Sequence, residues 1–204
     1  MPPIGLRSFR CLLIALAISS LLGCSHSKVA ATPPPPPPAR LVDLDGKPVD
    51  LLQRERGHIA VVIFTRTDCP ISNRFAPEIR RLDETYRPRG VDFFLVYVDP
   101  REDAPTIRRH LAEYQYACEG LRDPEHALVA YCHATATPEG VVFDPQGTIV
   151  YQGRISDQFV EVGSAKPQAA QHDLADAIEA TVLGRPVAVA QTRAVGCAIA
   201  DLKE

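Results

Sequence analysis

The sequence predicts an α/β domain: a central mixed sheet with helices on both faces and a short N-terminal hairpin. Three observations carry this reading. Ile59–Thr65 (IAVVIFT) and Val91–Val98 (VDFFLVYV) are apolar runs of strand length, the pattern of strands covered on both faces. Between them Phe75, Ile79, Leu82 and Tyr86 recur at spacings of four, three and four, one apolar stripe on a helix. Val141–Phe143 and Ile149–Tyr151 flank Asp144-Pro145-Gln146-Gly147, a type I turn sequence that joins antiparallel strands.

The elements follow in order. Leu41–Val49 (LVDLDGKPV) reads as a short strand, a turn at Asp45-Gly46 and a second extended piece. Arg54–His58 is a polar connector into the strand Ile59–Thr65. The helix after Cys69 contains Pro77, which is expected to kink it. After the strand Val91–Val98, Asp103 is the N-cap of a helix with Ile107, Leu111 and Tyr114 on its buried side. Asp123-Pro124 is expected to open another helix with proline in its first turn. His172–Leu183 is the last helix, with Leu174, Ile178 and Val182 on one face, ended by Gly184 and Pro186. The order is β-α-β-α-α-β-β-α after the hairpin, with no internal repeat.

One junction concentrates chemistry. The strand runs into Thr67-Asp68-Cys69-Pro70-Ile71-Ser72-Asn73, so Cys69 stands at the start of a helix. The free N–H groups and the dipole of that helix favour a thiolate there by about 0.3–1 kcal/mol, and the thiolate is the reactive form. Arg66 adds to this, Asp68 opposes it by like charge, and Glu139 either opposes it or accepts a proton. These effects are of similar size. Read alone, Cys69 is also compatible with a merely buried structural cysteine. A second signal is Thr137-Pro138, directly before the apolar run Gly140–Phe143.

Residues 1–40 read as processing and tether. Arg7 and Arg10 precede the apolar stretch Cys11–Leu22, too short to span a bilayer comfortably and suited to a signal peptide. The stretch ends in Leu21-Leu22-Gly23-Cys24, which resembles the bacterial lipoprotein box. That resemblance implies cleavage after residue 23 and lipidation of Cys24, whose acyl chains hold the protein on a membrane. It also implies a location in the cell envelope on the periplasmic or extracytoplasmic side, with the choice of membrane open. Residues 24–40 carry the proline run Pro33–Pro38, a spacer of about 19 Å at about 3.1 Å per residue.

The remaining residues, 41–204, suit one domain. Over the whole chain 22 Lys and Arg face 25 Asp and Glu; without Arg7 and Arg10 the balance is 20 against 25, a formal charge of −5. No basic patch stands out, which argues against nucleic acid as a partner. The domain keeps Cys69, Cys118, Cys132 and Cys197. An exported compartment permits disulfides, and four thiols allow about three complete pairings, among which spacing does not choose.

The segment from about residue 41 to 199 resembles the redoxin branch of the thioredoxin superfamily, the group that also holds alkyl hydroperoxide reductase-like proteins. The likeness rests on Cys69–Glu78 (CPISNRFAPE), Val96–Pro100, Asp123–His126, Thr137–Glu139, Tyr151–Ile155 and Thr192–Cys197 (TRAVGC). It implies a thioredoxin-like fold, a thiol-dependent oxidoreductase with Cys69 as nucleophile, and Pro138 as a cis-proline facing that sulfur. Thioredoxins carry a second cysteine where Ser72 stands here, and peroxiredoxins carry threonine or serine where Arg66 stands. Ser72 is therefore expected to shape the surroundings of Cys69, and a distant thiol to resolve its mixed disulfide. Cys197, in the Gly-Cys of the tail beyond the last helix, is the first candidate resolver. Cys132 reads better as core filling, and Cys118 as half of a structural disulfide. The implied partners are protein or small-molecule thiols and disulfides, or peroxides; no organic cofactor and no metal are implied. Copper chaperones of this fold use two cysteines four apart, and Asn73 occupies the second of those places; His126 and His133 lack zinc-type spacing. A non-catalytic interaction module on the same fold is the remaining alternative.

Overall fold

The computed structural model describes residues 41–54 and 57–200. The signal segment, Cys24 and the proline run lie outside the described residues. The architecture is the α/β fold expected from the sequence. The central strand β3 (Ile59–Thr65) has all seven residues buried. It pairs in parallel with β4 (Val91–Tyr97), from Ile59↔Val91 to Thr65↔Tyr97, and antiparallel with β7 (Glu139–Phe143). Because side chains alternate across a strand, β3 and β4 divide between two cores. Val61, Ile63, Phe93 and Leu95 meet Phe75, Ile79 and Leu82 of α2 (Pro70–Tyr86), Ile107 of α3 (Ala104–Glu113) and Leu174 and Ile178 of α5 (Asp173–Val182). Ala60, Val62, Phe64, Phe94 and Val96 meet Leu128 and Cys132 of α4 (Ala127–Cys132) and Leu41 of β1 (Leu41–Val42).

The N-terminal hairpin pairs β1 with β2 (Pro48–Val49), followed by a single turn, α1 (Leu51–Arg54), which was not expected and ends where the polar connector begins. The hairpin reaches the sheet through a strand the sequence did not announce, β5 (Glu119–Arg122), parallel to β4 and antiparallel to β1. Only Gly120 and Leu121 of β5 are buried, so it carries neither an apolar run nor β-branched residues. With β8 (Ile149–Gly153) paired to β7, the seven-stranded order is β2-β1-β5-β4-β3-β7-β8.

Several local expectations change. α4 begins at Ala127, three residues beyond Pro124, because the buried Asp123 carboxylate takes the N–H groups of Ala127, Leu128 and Val129 at 2.7, 2.9 and 2.9 Å. It caps the helix from outside. α2 holds Pro77 within it, as the sequence placed it. α3 has the expected cap, Asp103 accepting from Thr106 N at 2.9 Å, but stops at Glu113. α5 ends as expected at Gly184 (φ 63°), where Gly184 N donates to Thr181 O and Arg185 N to Ala180 O, both bonds of a Schellman motif. Three short elements were not foreseen: β6 (Ala136–Thr137), the hairpin β9–β10 (Phe159–Glu161 and Ser164–Ala165) and β11 (Cys197–Ala198).

Candidate active site

Cys69 is the N-cap residue of α2, with Pro70 in the first turn and Asn73 N donating to Cys69 O at 3.0 Å. β3 delivers it there, and the side chain is wholly buried. Its Sγ lies 2.9 Å from Cys197 Sγ and 3.0 Å from Thr137 O. The Thr137-Pro138 peptide is cis. Cys69, Pro138 and Cys197, separated by up to 128 positions, thus meet at one point.

The tail reaches this point by backbone pairing. β11 lies antiparallel to β6 with Cys197 opposite Thr137 and Ala198 opposite Ala136, and Ile199 N donates to Thr135 O at 3.0 Å. Upstream, Gln152 N donates to Ala190 O and Thr192 N to Gln152 O, at 2.9 and 3.0 Å. Thr192 Oγ1 takes Arg154 N at 3.0 Å and meets the Tyr151 hydroxyl at 2.8 Å. Two glycines permit the approach. A Cβ on Gly196 would stand 2.0 Å from Thr137 O, and one on Gly153, where φ is 147°, 2.2 Å from Thr192 Oγ1. No side chain fits either place.

Burial pushes the Cys69 thiol up, but donation from the Cys197, Ser72 and Thr137 side chains and from the Ser72 N–H outweighs it and brings the pKa down to about 7. Cys197 moves the other way, to about 11, through burial and then its bond and proximity to Cys69. Of the two thiols Cys69 therefore ionises first, as pH rises through about 7, with the Cys197 thiol placed to donate to the thiolate that forms. The Ser72 hydroxyl is buried without a full hydrogen-bond partner at rest. It lies near enough to turn to the sulfur as charge develops there. The Cys69 side chain makes no full cap bond to α2, so side-chain donors outweigh the helix terminus.

The neighbouring charges behave differently from expectation. Arg66 is held by Asp68 at 2.8 Å and Asp99 at 3.5 Å, so its charge is shared between two carboxylates. Glu139 is buried beside Pro138 but turns away from the sulfur: Oε2 takes Thr135 N and Ala136 N at 2.9 and 3.3 Å, and Oε1 takes Gln152 Nε2 at 2.7 Å. It braces the two segments on which the tail lies.

Cys118 and Cys132 are buried free thiols away from this site. Cys118 opens the way into β5 and has no disulfide partner, which corrects the expectation of a structural pairing. Cys132 fills the core on the α4 side. Among the described residues no three His, Cys, Asp or Glu side chains gather as a metal site; His126 Nε2 instead meets Val98 O at 2.7 Å and His133 is exposed.

Sequence reasoning missed the scaffold behind Cys69. Glu102 is buried and accepts both Thr67 N and Thr67 Oγ1 at 2.7 Å. Asn73 Nδ2 donates to Thr67 O at 3.0 Å, while Asn73 Oδ1 lies 2.9 Å from His110 Nε2. Since that oxygen only accepts, His110 carries its proton on Nε2 and takes the Tyr97 hydroxyl at Nδ1, 2.8 Å away. Burial lowers the His110 pKa, in keeping with a neutral ring. Asn73 lies within the CPISN motif and could have been singled out; Glu102 and His110 carry no local signal.

A sequence model of the Redoxin family matches residues 31–166. Among solved structures, an uncharacterized conserved protein from Geobacillus kaustophilus is 25% identical over 83% of this chain and 91% of its own, with a TM-score of 0.72. A hypothetical protein from Sinorhizobium meliloti is 21% identical over 78% and 88%, with a TM-score of 0.68. A secreted Mycobacterium tuberculosis disulfide oxidoreductase homologous to E. coli DsbE is 21% identical over 68% and 92%, with a TM-score of 0.51. The last two likenesses speak for the fold. No curated protein matches.

Proposed function

The chain belongs to the redoxin family, thiol-dependent oxidoreductases of thioredoxin-like fold, and we propose that it is a lipid-anchored, extracytoplasmic thiol–disulfide oxidoreductase with Cys69 as nucleophile. One observation carries this reading: Cys69 Sγ, at the N-cap of α2 and beside the cis Thr137-Pro138 peptide, lies 2.9 Å from a second thiol, Cys197 Sγ. The downward shift of Cys69 to about 7 and the upward shift of Cys197 to about 11 accord with it. The Cys69 thiolate attacks one sulfur of a substrate disulfide, forming a mixed disulfide and releasing the other sulfur as a thiolate, which takes up a proton. Cys197 then loses its proton and attacks the Cys69 sulfur. The second substrate thiol leaves, and Cys69 and Cys197 are joined. The substrate gains two electrons and the protein loses two. An external dithiol restores the pair by the same exchange, and a change in relative potential reverses the flow. Ser72 stabilises the thiolate, and Pro138 forms the wall opposite it.

Disulfides are favoured over peroxides because position 66 offers no hydroxyl and its guanidinium is engaged by carboxylates. The anchoring half of the proposal rests on Leu21–Cys24 and on the spacer to residue 40. No helix among the described residues is long and apolar enough to cross a membrane. Cys24→Ser should release the protein from membranes or block its processing; unmodified wild-type protein in the soluble fraction, cleaved elsewhere, would remove this half.

The chemistry is tested by stopped-flow oxidation of reduced protein with a model disulfide and with hydrogen peroxide. Cys69→Ser should abolish both reactions. Cys197→Ser should leave attack intact and lengthen the life of the mixed disulfide on Cys69. Rapid Cys69-dependent peroxide turnover with poor disulfide reactivity would make the protein peroxiredoxin-like instead.

A further inference from the structure

The nucleophile is out of reach. Cys69 is 0% exposed, and Cys197 Sγ and Thr137 O stand 2.9 and 3.0 Å from its sulfur. A thiol that exchanges with an outside disulfide needs an open path to that sulfur, so the cover must be able to move.

The tail has a firm part and a loose part. Around Thr192 it is fastened by two backbone bonds to Gln152, by the Tyr151 hydroxyl and by Arg154 N. Beyond Thr192 the hold is slight. β11 is two residues long and pairs with β6, also two residues long, in a sheet of their own. Val195, Cys197 and Ile199 are half-buried, while Ala198 and Ala200 are exposed. Val195 and Cys197 pack at the margin of one core and Ile199 at the margin of the other, but none is fully buried. Partial burial and a short ladder are the marks of a segment that opens at low free energy.

The tail also covers a particular kind of surface. β6 pairs with β11 and with no other strand among the described residues. If the tail lifts, β6 is an open backbone edge beside Cys69, braced from behind by the buried Glu139 through Thr135 N and Ala136 N. An open edge is a template for an added strand. The tail already shows what fits: an extended segment, antiparallel, with a cysteine opposite Thr137 and a glycine before it.

From these observations we infer that Gly196–Ile199 is a gate and an internal stand-in for substrate: it occupies the edge on which an extended, cysteine-bearing polypeptide docks, and it must swing away about Thr192 before Cys69 reacts. The inference rests on Cys69 being the attacking thiol. It makes the tail a determinant of specificity, since a polypeptide has to replace a tethered competitor. It also gives Cys197 its timing. The resolving sulfur is withdrawn while substrate is attacked and returns with the strand, completing the disulfide as the substrate is expelled.

A gate leaves a kinetic signature. The rate of Cys69 modification in reduced full-length protein should rise with reagent concentration and then level off at the rate of opening. The plateau should be the same for iodoacetamide and for a linear peptide carrying a mixed disulfide, two reagents of unlike chemistry. Gly196→Val, which places atoms on the Thr137 carbonyl, should raise the rate at high reagent concentration by about tenfold or more, as expected when a closed local state is destabilised. The shape of the curve is read rather than the rate at one pH, because displacing Cys197 also alters Cys69 ionisation. Amide hydrogen exchange supplies a second readout: Ile199 N–H, which bonds Thr135 O, should exchange far faster than the β3 and β4 amides and lose protection in Gly196→Val. If that variant does not fold, Thr192→Val, which weakens the fastening, takes its place in the same comparison. Linear concentration dependence in the wild type, unchanged in the variant, with core-like protection at Ile199 would overturn the gate and leave Cys69 as nucleophile. An unreactive Cys69 in both proteins would instead overturn the proposed function.

Discussion

Cys69 and Cys118 pack into the same apolar cluster, and both side chains are shielded from water. Their surroundings differ in one respect. Around Cys118 there is burial and, behind it, the negative charge of Asp83, and its pKa is pushed up to about 12. Around Cys69 burial acts in the same direction, but Cys197, Ser72 and Thr137 can donate to the sulfur, and its pKa comes down to about 7. Desolvation alone disfavours a thiolate, while hydrogen bonds to the charged form favour it. The difference teaches that burial does not make a cysteine inert: a dry site with donors holds a thiolate more firmly than a wet one. The donors at Cys69 come from three segments distant in sequence, a helix N-terminus, the residue before a cis-proline and a tail strand, and Cys118 has no such convergence.

The sharpest test sets the two thiols against each other. In reduced folded protein at pH 7.5, iodoacetamide followed by site-resolved mass spectrometry should show Cys69 reacting at least about a hundredfold faster than Cys118 or Cys132, because Cys69 has the larger thiolate fraction and is covered by a two-residue strand rather than by the core. Equal or slower labelling of Cys69 would favour a non-catalytic module on this fold. A smaller effect comes from Cys197→Ala, which removes the leading donor. The pH at which Cys69 labelling reaches half its maximum should climb from about 7 toward 9, so the rate at pH 7 falls by about tenfold while the rate at high pH is not reduced. The sign follows from the lowered pKa: the wild-type thiolate is lost as pH falls through about 7, and that of the variant is lost at higher pH. A midpoint that stays near 7 would show that Cys197 is not the leading donor.

Ser72→Ala should move the same midpoint upward by less, since the Ser72 amide stays in place. A downward movement would mean that the hydroxyl does not serve the thiolate. The smallest effect on reactivity is expected at the other pole of the comparison. Cys118→Ala should leave the Cys69 midpoint where it is and cost ~1 kcal/mol of stability in urea unfolding, the scale of a lost small buried group. A shifted midpoint would mean that the two thiols are coupled through the core.

The fold was legible to the extent that burial writes itself into periodicity. β3, β4 and the β7–β8 hairpin carry apolar runs or turn residues, and α2, α3 and α5 carry stripes at helical spacing. β5 was not legible: with Gly120 and Leu121 buried between two charged residues, it is a strand only because β4 and β1 flank it. The start of α4 was misjudged because Asp123 caps from a distance through three amide bonds, whereas Pro124 reads locally as a first-turn proline. Pro77 lies inside α2, where the sequence placed it.

The same division runs through the site. Sequence by itself determined that Cys69 stands at a strand-to-helix junction, that no cysteine follows three residues later, and that Cys197 lies in a tail without helical pattern. These are statements about nearest neighbours along the chain, where backbone geometry leaves few choices. Only the tertiary structure decided that β11 pairs with β6 in the register that brings two sulfurs to 2.9 Å, that Gly196 and Gly153 are small because backbone passes through the space a side chain would need, and that Glu139 braces the tail's docking edge. The physical reason is range. Propensity and periodicity act over a few residues, whereas hydrogen-bond donation to a buried sulfur depends on distances of about 3–4 Å between atoms that the chain brings together only when its distant segments have packed.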